Sequence, residues 1–299
     1  MNRIGFLACA DTLPGEGPGG RPRRGDAFEH DLEVAALRPA FAEAGLELVE
    51  LDWRAPLSEF DGIALVLLGT AWDYQDHPEE FLAKLEALTA RGIVVCNPPE
   101  VVRWNADKTY LRELGDQGAP IVPTLYLDDA GCDEVTVAMA SLDTHDVVVK
   151  RQIGAGGLGQ HRFTCDTPPE RNWRMGRPCM VQPFLPSVTE EGEYSFVFID
   201  GAFSHAIRKR AAAGEYRIQS LYGGSETIHQ PSLEDLDCAR QVLTALPFMD
   251  LLYARIDMIR LPDDRLAVME AELIEPYLYP EQGPDLGKRM AAAIARRLS

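Results

Sequence analysis

The hydrophobic positions fall into two regimes along the chain. Up to about residue 100, short continuous apolar runs alternate with helical stripes, the pattern of buried parallel strands and their crossover helices. Residues 3–10, RIGFLACA, read as the first such strand, and 46–51, 63–68 and 93–96 as three more. Leu32, Ala36, Leu37 and Phe41 mark the apolar face of a helix over 27–44, with Gly45 as its stop. Pro39 should kink that helix or end a shorter one. A second helix is expected over 78–91. Residues 11–25, DTLPGEGPGGRPRRG, are too rich in Gly and Pro for either regular element. They form a long loop at the C-terminal end of the first strand, where α/β folds place ligands.

Beyond Asn97-Pro98-Pro99, helices are expected over 106–114 and 135–142, and strands over 121–127 and 147–150. From Val181 the pattern turns antiparallel. Strands over 194–199 and 203–208 flank Asp200-Gly201, a strong hairpin signal. A helix over 233–246 leads into residues 253–276, and a helix over 285–298 closes the chain. The fold class is therefore α/β, becoming α+β in the C-terminal part.

Residues 253–276, YARIDMIRLPDDRLAVMEAELIEP, are two apolar strands around a polar turn, yet they carry carboxylates where a buried sheet should carry none. With Asp263-Asp264 as a two-residue turn, Asp257 falls opposite Glu270, and Glu272 shares that face. Two unit charges about 4 Å apart repel by roughly 4 kcal/mol at an effective dielectric of about 20. Such a row needs cations. Oxygen-only ligands suit magnesium, held by carboxylates together with substrate phosphates. The competing reading is a solvated outer face of a hairpin.

Charge narrows the partners. A net charge of −18 over 299 residues argues against nucleic acid and anionic membranes, so an anionic substrate would need a local cationic pocket. The six cysteines are scattered without a C-x-x-C, which suits reduced thiols in cytoplasm. The first apolar run is too short for a secretory signal, and no stretch approaches a membrane span.

Gly154-x-Gly156-x-x-Gly159 matches a dinucleotide fingerprint by letter, but the strand-like HRFTCDTPPERN follows it instead of the helix that fingerprint needs. A nicotinamide-dependent oxidoreductase would rest on that motif alone. A glycine hairpin folding its N–H groups over phosphates fits better, with Lys150 as the point charge. Lys108, in WNADKTYL, is a weaker candidate. Residues 179–185, CMVQPFL, could present backbone groups and an apolar wall to a purine, or be plain core. GEYRIQSLYGG, 214–224, sets Arg217 beside a glycine pair, where it suits a transferring phosphoryl group.

In this order, the pieces resemble the ATP-grasp ligases, most closely their glutathione-synthetase-like branch. The resemblance implies an N-terminal Rossmann-like pre-ATP-grasp domain over 1–104. A nucleotide-clamping subdomain would cover 105–186, and a metal-binding catalytic subdomain 187–299. It implies ATP as co-substrate, held by Lys108, Lys150, Gly156 and Gly157 of the glycine loop, the linker Gln182, Pro183, Phe184 and Leu185, and Glu193 near the ribose. Arg217 and Lys150 would act on the phosphoryl group. Asp257, Glu270 and Glu272 would bind two Mg2+ ions, with Mn2+ an alternative. Glu272 and Gln219 stand where the family usually has asparagine, and Arg151 stands where proline is common.

Substrate choice would come from the first domain and from loops facing the metals. Trp72, Asp73 and Tyr74 are the candidates for an amino-acid substrate, with Asp73 pairing its ammonium group. Arg208, in SHAIRKR, looks like a carboxylate-binding position, and Glu275 lies just beyond the metal ligands. WDY, N-x-D-K-x-Y-L, S-H-A-x-R-K and E-L-I-E-P are together similar to a small cyclo-ligase subgroup of antibiotic biosynthesis. Its members close O-ureido-D-serine to D-cycloserine. A general amino-acid or peptide ligase, and a silent nucleotide-binding protein, are the alternatives. A homo-oligomer is compatible with the sequence.

Overall fold

The computed structural model describes residues 1–15, 17–154, 159–212, 214–215 and 223–299. Strand β1 (Asn2–Ala8), helix α1 (Ala27–Glu43), β2 (Leu46–Asp52), β3 (Ile63–Thr70), α2 (Pro78–Ala90) and β4 (Val94–Cys96) alternate as the apolar pattern predicts. They form a sheet ordered β2-β1-β3-β4 in which every neighbouring pair is parallel. Successive β1 residues point to opposite faces. Ile4 and Phe6 pack with Val34, Leu37 and Phe41 of α1, while Leu7 packs with Phe81 and Leu85 of α2. Pro39 lies inside α1 without ending it. Leu37 and Phe41 are buried on either side of it, and that packing offsets the missing backbone donor.

The helix expected over 106–114 begins later, as α4 (Tyr110–Asp116), and a short helix not expected from the sequence, α3 (Pro99–Asn105), precedes it. Pro99 fills the first turn of α3, where its missing N–H costs nothing. The break between the helices carries Lys108, whose backbone N–H donates to Gln152 O at 3.0 Å. Next come β5 (Leu125–Leu127), α5 (Cys132–Ser141), β6 (Asp146–Arg151), β7 (His161–Thr164) and β8 (Cys179–Pro183), giving an antiparallel sheet ordered β5-β8-β6-β7. β5 is shorter than expected because Pro123 supplies no ladder donor. Ile121 instead bridges to Val268.

The last part contains α6 (Ser187–Glu190), β9 (Glu193–Ile199), β10 (Ala202–Arg210), β11 (Ser225–His229), α7 (Leu233–Ala245), β12 (Tyr253–Arg260), β13 (Leu266–Glu272) and α8 (Leu286–Arg297). Its antiparallel sheet runs β11-β10-β9-β12-β13. Asp200 and Gly201 turn β9 into β10 with φ of 52° and 73°. α8 crosses back onto α1, and Gly287 permits the approach, since a Cβ there would stand 2.4 Å from Ala36 O. Val197, Ile199 and Ile207 therefore share one core with the first sheet.

Asp257 does pair with Glu270, but by a different route. The turn is not Asp263-Asp264. Arg260 pairs with Leu266, and Leu261 N donates to Arg265 O at 2.9 Å, so five residues form the loop. That loop alone would set Met269 opposite Asp257. A bulge between Asp257 and Met258 shifts the register by one and brings Glu270 back.

β13 is an edge strand, and side chains from the linker 97–110 satisfy its backbone. Tyr110 Oη donates to Ala271 O at 3.1 Å and accepts from Ala271 N at 2.9 Å. Asn105 donates to Ala271 O at 2.7 Å and accepts from Leu273 N at 2.9 Å. Asn97 donates to Tyr253 O and Leu273 O at 2.9 and 2.7 Å and accepts from Leu252 N at 2.8 Å. These side chains hold the carboxylate strands against the linker that carries Lys108. Tyr110→Phe leaves the Ala271 amide without its partner, while Ala271 O keeps Asn105, and the loss should cost about 1–3 kcal/mol. The urea midpoint is expected to fall accordingly; an unchanged midpoint would show that the hydroxyl is dispensable.

Candidate active site

A cavity of about 850 Å³ receives side chains from the two antiparallel sheets and from the connections that leave the strands of the first sheet. Trp72 and Glu275 line one part, Lys108 and Lys150 another, and Asp257 and Glu270 lie between.

At its floor is a buried charge network. Asp257 Oδ1 accepts from Ser195 Oγ at 2.6 Å and Arg255 Nε at 3.1 Å; Oδ2 accepts from Lys209 Nζ and Arg255 Nη2, each at 3.0 Å. Lys209 also pairs with Glu193 at 2.6 Å, and Arg255 with Glu272. Glu270 Oε1 meets Lys108 Nζ at 2.8 Å, and Lys108 further donates to Gly154 O. The carboxylates expected on one face are thus there, interleaved with three cations. Among the described residues, no three His, Cys, Asp or Glu side chains converge on one point. The donor set still suits a hard divalent cation, because Glu270 and Glu272 keep 30% and 28% of their side chains exposed and every donor is oxygen. Asp257 is more committed, since Arg255, Lys209 and Ser195 share its two oxygens.

Lys150 lines the cavity without an ion-pair partner among the described residues, and burial lowers its pKa. Gln182, Pro183, Phe184 and Leu185 line it as well. Gln182 is buried and donates to Thr124 Oγ1 at 2.9 Å, and Phe184 N donates to Asp146 O at 2.9 Å. Gly156, Gly157 and Arg217 lie outside the described residues.

Several expected positions differ. Arg208 is on the other side of its sheet: it pairs with Tyr194, which packs in the core beneath α7, and its buried Nε has no partner among the described residues. Alternation along β10 gives the carboxylate face to Lys209 instead. Glu193 is engaged by Lys209 at the floor. Tyr74 is core, its ring 5.1 Å from that of Phe81. Asp73 lines the cavity, but Trp53 Nε1 at 2.6 Å and Arg54 occupy its two oxygens, so it is not a free partner for an ammonium group. Trp72 does reach the site and donates Nε1 to Glu275 O at 3.1 Å. Arg255 and Lys209 were not anticipated. The signal for Arg255 was present, two residues before Asp257 and so on its face.

Burial without a fixed cation pushes several acids up. Glu33, beneath Leu278, rises from 4.5 to about 8, and Glu275 to about 7 through burial and the neighbouring Glu270. Glu272 rises in the same direction, since burial with Asp257 and Glu270 nearby outweighs Arg255. An acid raised in the folded state stays protonated while its unfolded counterpart ionises, so folding stability drops as pH rises between the two values. Burial lowers the pKa of His161, His205 and His229, which are neutral in the upper part of that window. The metal-free protein should therefore melt at progressively lower temperature from about pH 6.5 to 8, and Glu33→Gln should flatten the slope. A melting temperature that rises across the window would mean that these carboxyls are ionised in the folded protein.

Residues 4–97 match the family model of the N-terminal domain of D-cycloserine synthetase DcsG, and residues 143–268 that of the prokaryotic glutathione synthetase ATP-grasp domain. The cycloserine biosynthesis protein DcsG of Streptomyces lavendulae is 27% identical over 292 residues, covering 90% of this chain and 94% of its own. A glutathione synthetase of Parasynechococcus marenigrum is 30% identical over 182 residues, covering 58% of this chain and 56% of its own. The crystal structure of D-cycloserine synthetase DcsG superposes with a TM-score of 0.81 at 23% identity, covering both chains fully. D-alanine–D-alanine ligase from Bacillus anthracis superposes at 0.68 and 17% identity, covering 100% of this chain and 97% of its own. With both domain types matched in order, the chain belongs to the ATP-grasp ligases, enzymes that form carbon–nitrogen bonds with release of ADP.

Proposed function

We propose that the protein is a cyclo-ligase that activates the carboxylate of O-ureido-D-serine and closes it to D-cycloserine. The observation that carries this reading is the match of residues 4–97 to the N-terminal domain of D-cycloserine synthetase, because that domain supplies Trp72 and the loop 11–25 to the cavity. The nearly full-length similarity to the Streptomyces protein supports it further.

The residues divide the work by chemistry. Domains over 1–104, 105–186 and 187–299 would supply substrate, nucleotide and metal contacts in turn. Lys108 and Lys150 would bind ATP phosphates, Gly156 and Gly157 are assigned to the same phosphates, and residues 182–185 would lie along the adenine. Glu270 and Glu272 would hold two Mg2+ ions, or Mn2+, with Asp257 joining them once Arg255 or Lys209 yields one of its oxygens. When bound, such ions neutralise phosphate charge and orient the transfer. The substrate carboxylate attacks the γ-phosphorus and ADP leaves. Arg255 and Lys209, already held in place, offer positive charge to the acyl phosphate, and Arg217 is assigned to the transferring group. The tail nitrogen bonded to oxygen then attacks the acyl carbon, phosphate leaves, and that nitrogen gives up its proton; water cleaves the carbamoyl group from the same nitrogen, releasing it as carbon dioxide and ammonia. Both reacting groups belong to one molecule, so orientation replaces a second binding event. The six cysteines are all free, in keeping with the cytoplasmic location expected of such an enzyme.

O-ureido-D-serine with Mg2+ and ATP should release ADP and yield a cyclised product by mass spectrometry. ADP release with ordinary amino-acid pairs but not with this substrate would overturn the cyclo-ligase reading in favour of an intermolecular ligase. Glu270→Gln should lower turnover by about 10³-fold or more in a protein that still folds by circular dichroism. Near-normal turnover would show that Glu270 holds no catalytic cation.

A further inference from the structure

Loop 11–25 is anchored to α1 by Arg23, which pairs with Asp31 at 2.9 Å and donates to the carbonyls of Thr12 and Ala27. Its neighbour Arg24 is not needed for that anchoring and faces the cavity instead. Arg24 Nε and Nη2 donate to the two oxygens of Asp26 at 2.5 and 2.8 Å, and the guanidinium lies 5.0 Å from the centre of the Trp72 ring. Asp26 is buried at the start of α1. Trp72 is fixed in turn to Glu275 O, in the segment directly after Glu272. The guanidinium is therefore held along one edge by Asp26, packed over a ring and also in hydrogen-bond contact with the Cys9 thiol, a weak acceptor, while Nη1 takes no oxygen acceptor among the described residues. A planar fork fixed in this way is a preorganised donor.

Resting on the cyclo-ligase reading, we propose that Arg24 is a specificity-determining residue that donates a hydrogen bond to the carbonyl oxygen of the substrate's ureido tail. Arg24 is reached from the carboxylate floor through Glu275 and Trp72, on the side that the first domain contributes. The reacting carboxylate belongs at the phosphate end, beside Lys209 and Arg255, which leaves the tail for Arg24. The acceptor is an uncharged carbonyl for an electrostatic reason. Asp26 already neutralises Arg24, and Asp11 and Glu29 line the same part of the cavity, so a second carboxylate would meet three acids. A neutral oxygen receives the donor without that repulsion. A site built to donate to a polar group discriminates against analogues that lack it.

The test compares wild type with Arg24→Gln and Arg24→Lys, following ADP release with O-ureido-D-serine and inhibition by D-serine, which has no carbonyl tail. Both variants should raise KM for O-ureido-D-serine by about 10- to 100-fold, with kcat, KM for ATP and the D-serine inhibition constant within about threefold of wild type. Arg24→Lys keeps the charge above Trp72 but loses the fork, so it reports on geometry even if Arg24→Gln folds poorly. An unchanged KM overturns the assignment, as does an equal weakening toward D-serine, or a parallel loss of kcat and ATP affinity. A wild-type enzyme that ignores O-ureido-D-serine overturns the cyclo-ligase reading itself, and this assignment with it, before any variant is compared.

Discussion

Asp257 is the charge on which the arrangement of this molecule turns. It is 3% exposed on a strand with neighbours on both sides, and a lone carboxylate there would be very costly. Arg255 and Lys209 neutralise it, and Ser195 completes its hydrogen bonds. Removing one member of such a group leaves an uncompensated buried charge, an effect of about 3–5 kcal/mol. The stabilised object is therefore the group, and three strands must be in register to make it: β9 with Ser195 and Glu193, β10 with Lys209, and β12 with Arg255 and Asp257. The sheet is thus specified in part by buried charges that also line the cavity. Under the proposed reaction, cations fixed in this way would meet an anionic intermediate with little reorganisation.

The second dependence is mechanical. β13 carries Glu270 and Glu272 at the edge of its sheet, where strands commonly fray or pair elsewhere. Here Asn97, Asn105 and Tyr110 cap its backbone from the linker between the first two sheets. Lys108 lies between Asn105 and Tyr110 and reaches Glu270. Lys108, the acidic strand and the first sheet are thus joined through one set of buried hydrogen bonds, so a change of register at β13 would be felt at all three.

What could be read in advance followed from periodicity. Alternation of two placed Asp257, Glu270 and Glu272 on one face, and the apolar runs gave the parallel first sheet. Neither guided the reading of loops. Asp73 and Tyr74 follow β3 in a segment without a period, so nothing in the sequence indicated that Trp53 and Arg54 would occupy one and the core the other. Arg208 and Lys209 were separable only through the pairing of β10 with β9, a long-range fact. β11 and α3 went unseen because the first is short and largely polar and the second begins at a proline that reads as a break.

The hairpin shows why local and global signals must agree for such a reading to succeed. A five-residue loop, taken alone, would turn Glu270 away from Asp257 and set a methionine opposite it. The bulge reverses that shift, at the position where the acidic pair begins. Bulges bend a strand and re-aim its side chains at low cost, and they recur next to active sites for that reason. Here the bulge separates two demands on β13: its distal half packs Leu266, Ala267 and Val268 into buried cores, while its proximal half must turn two acids toward the cavity. A regular ladder closed by the same loop would satisfy the first demand and fail the second.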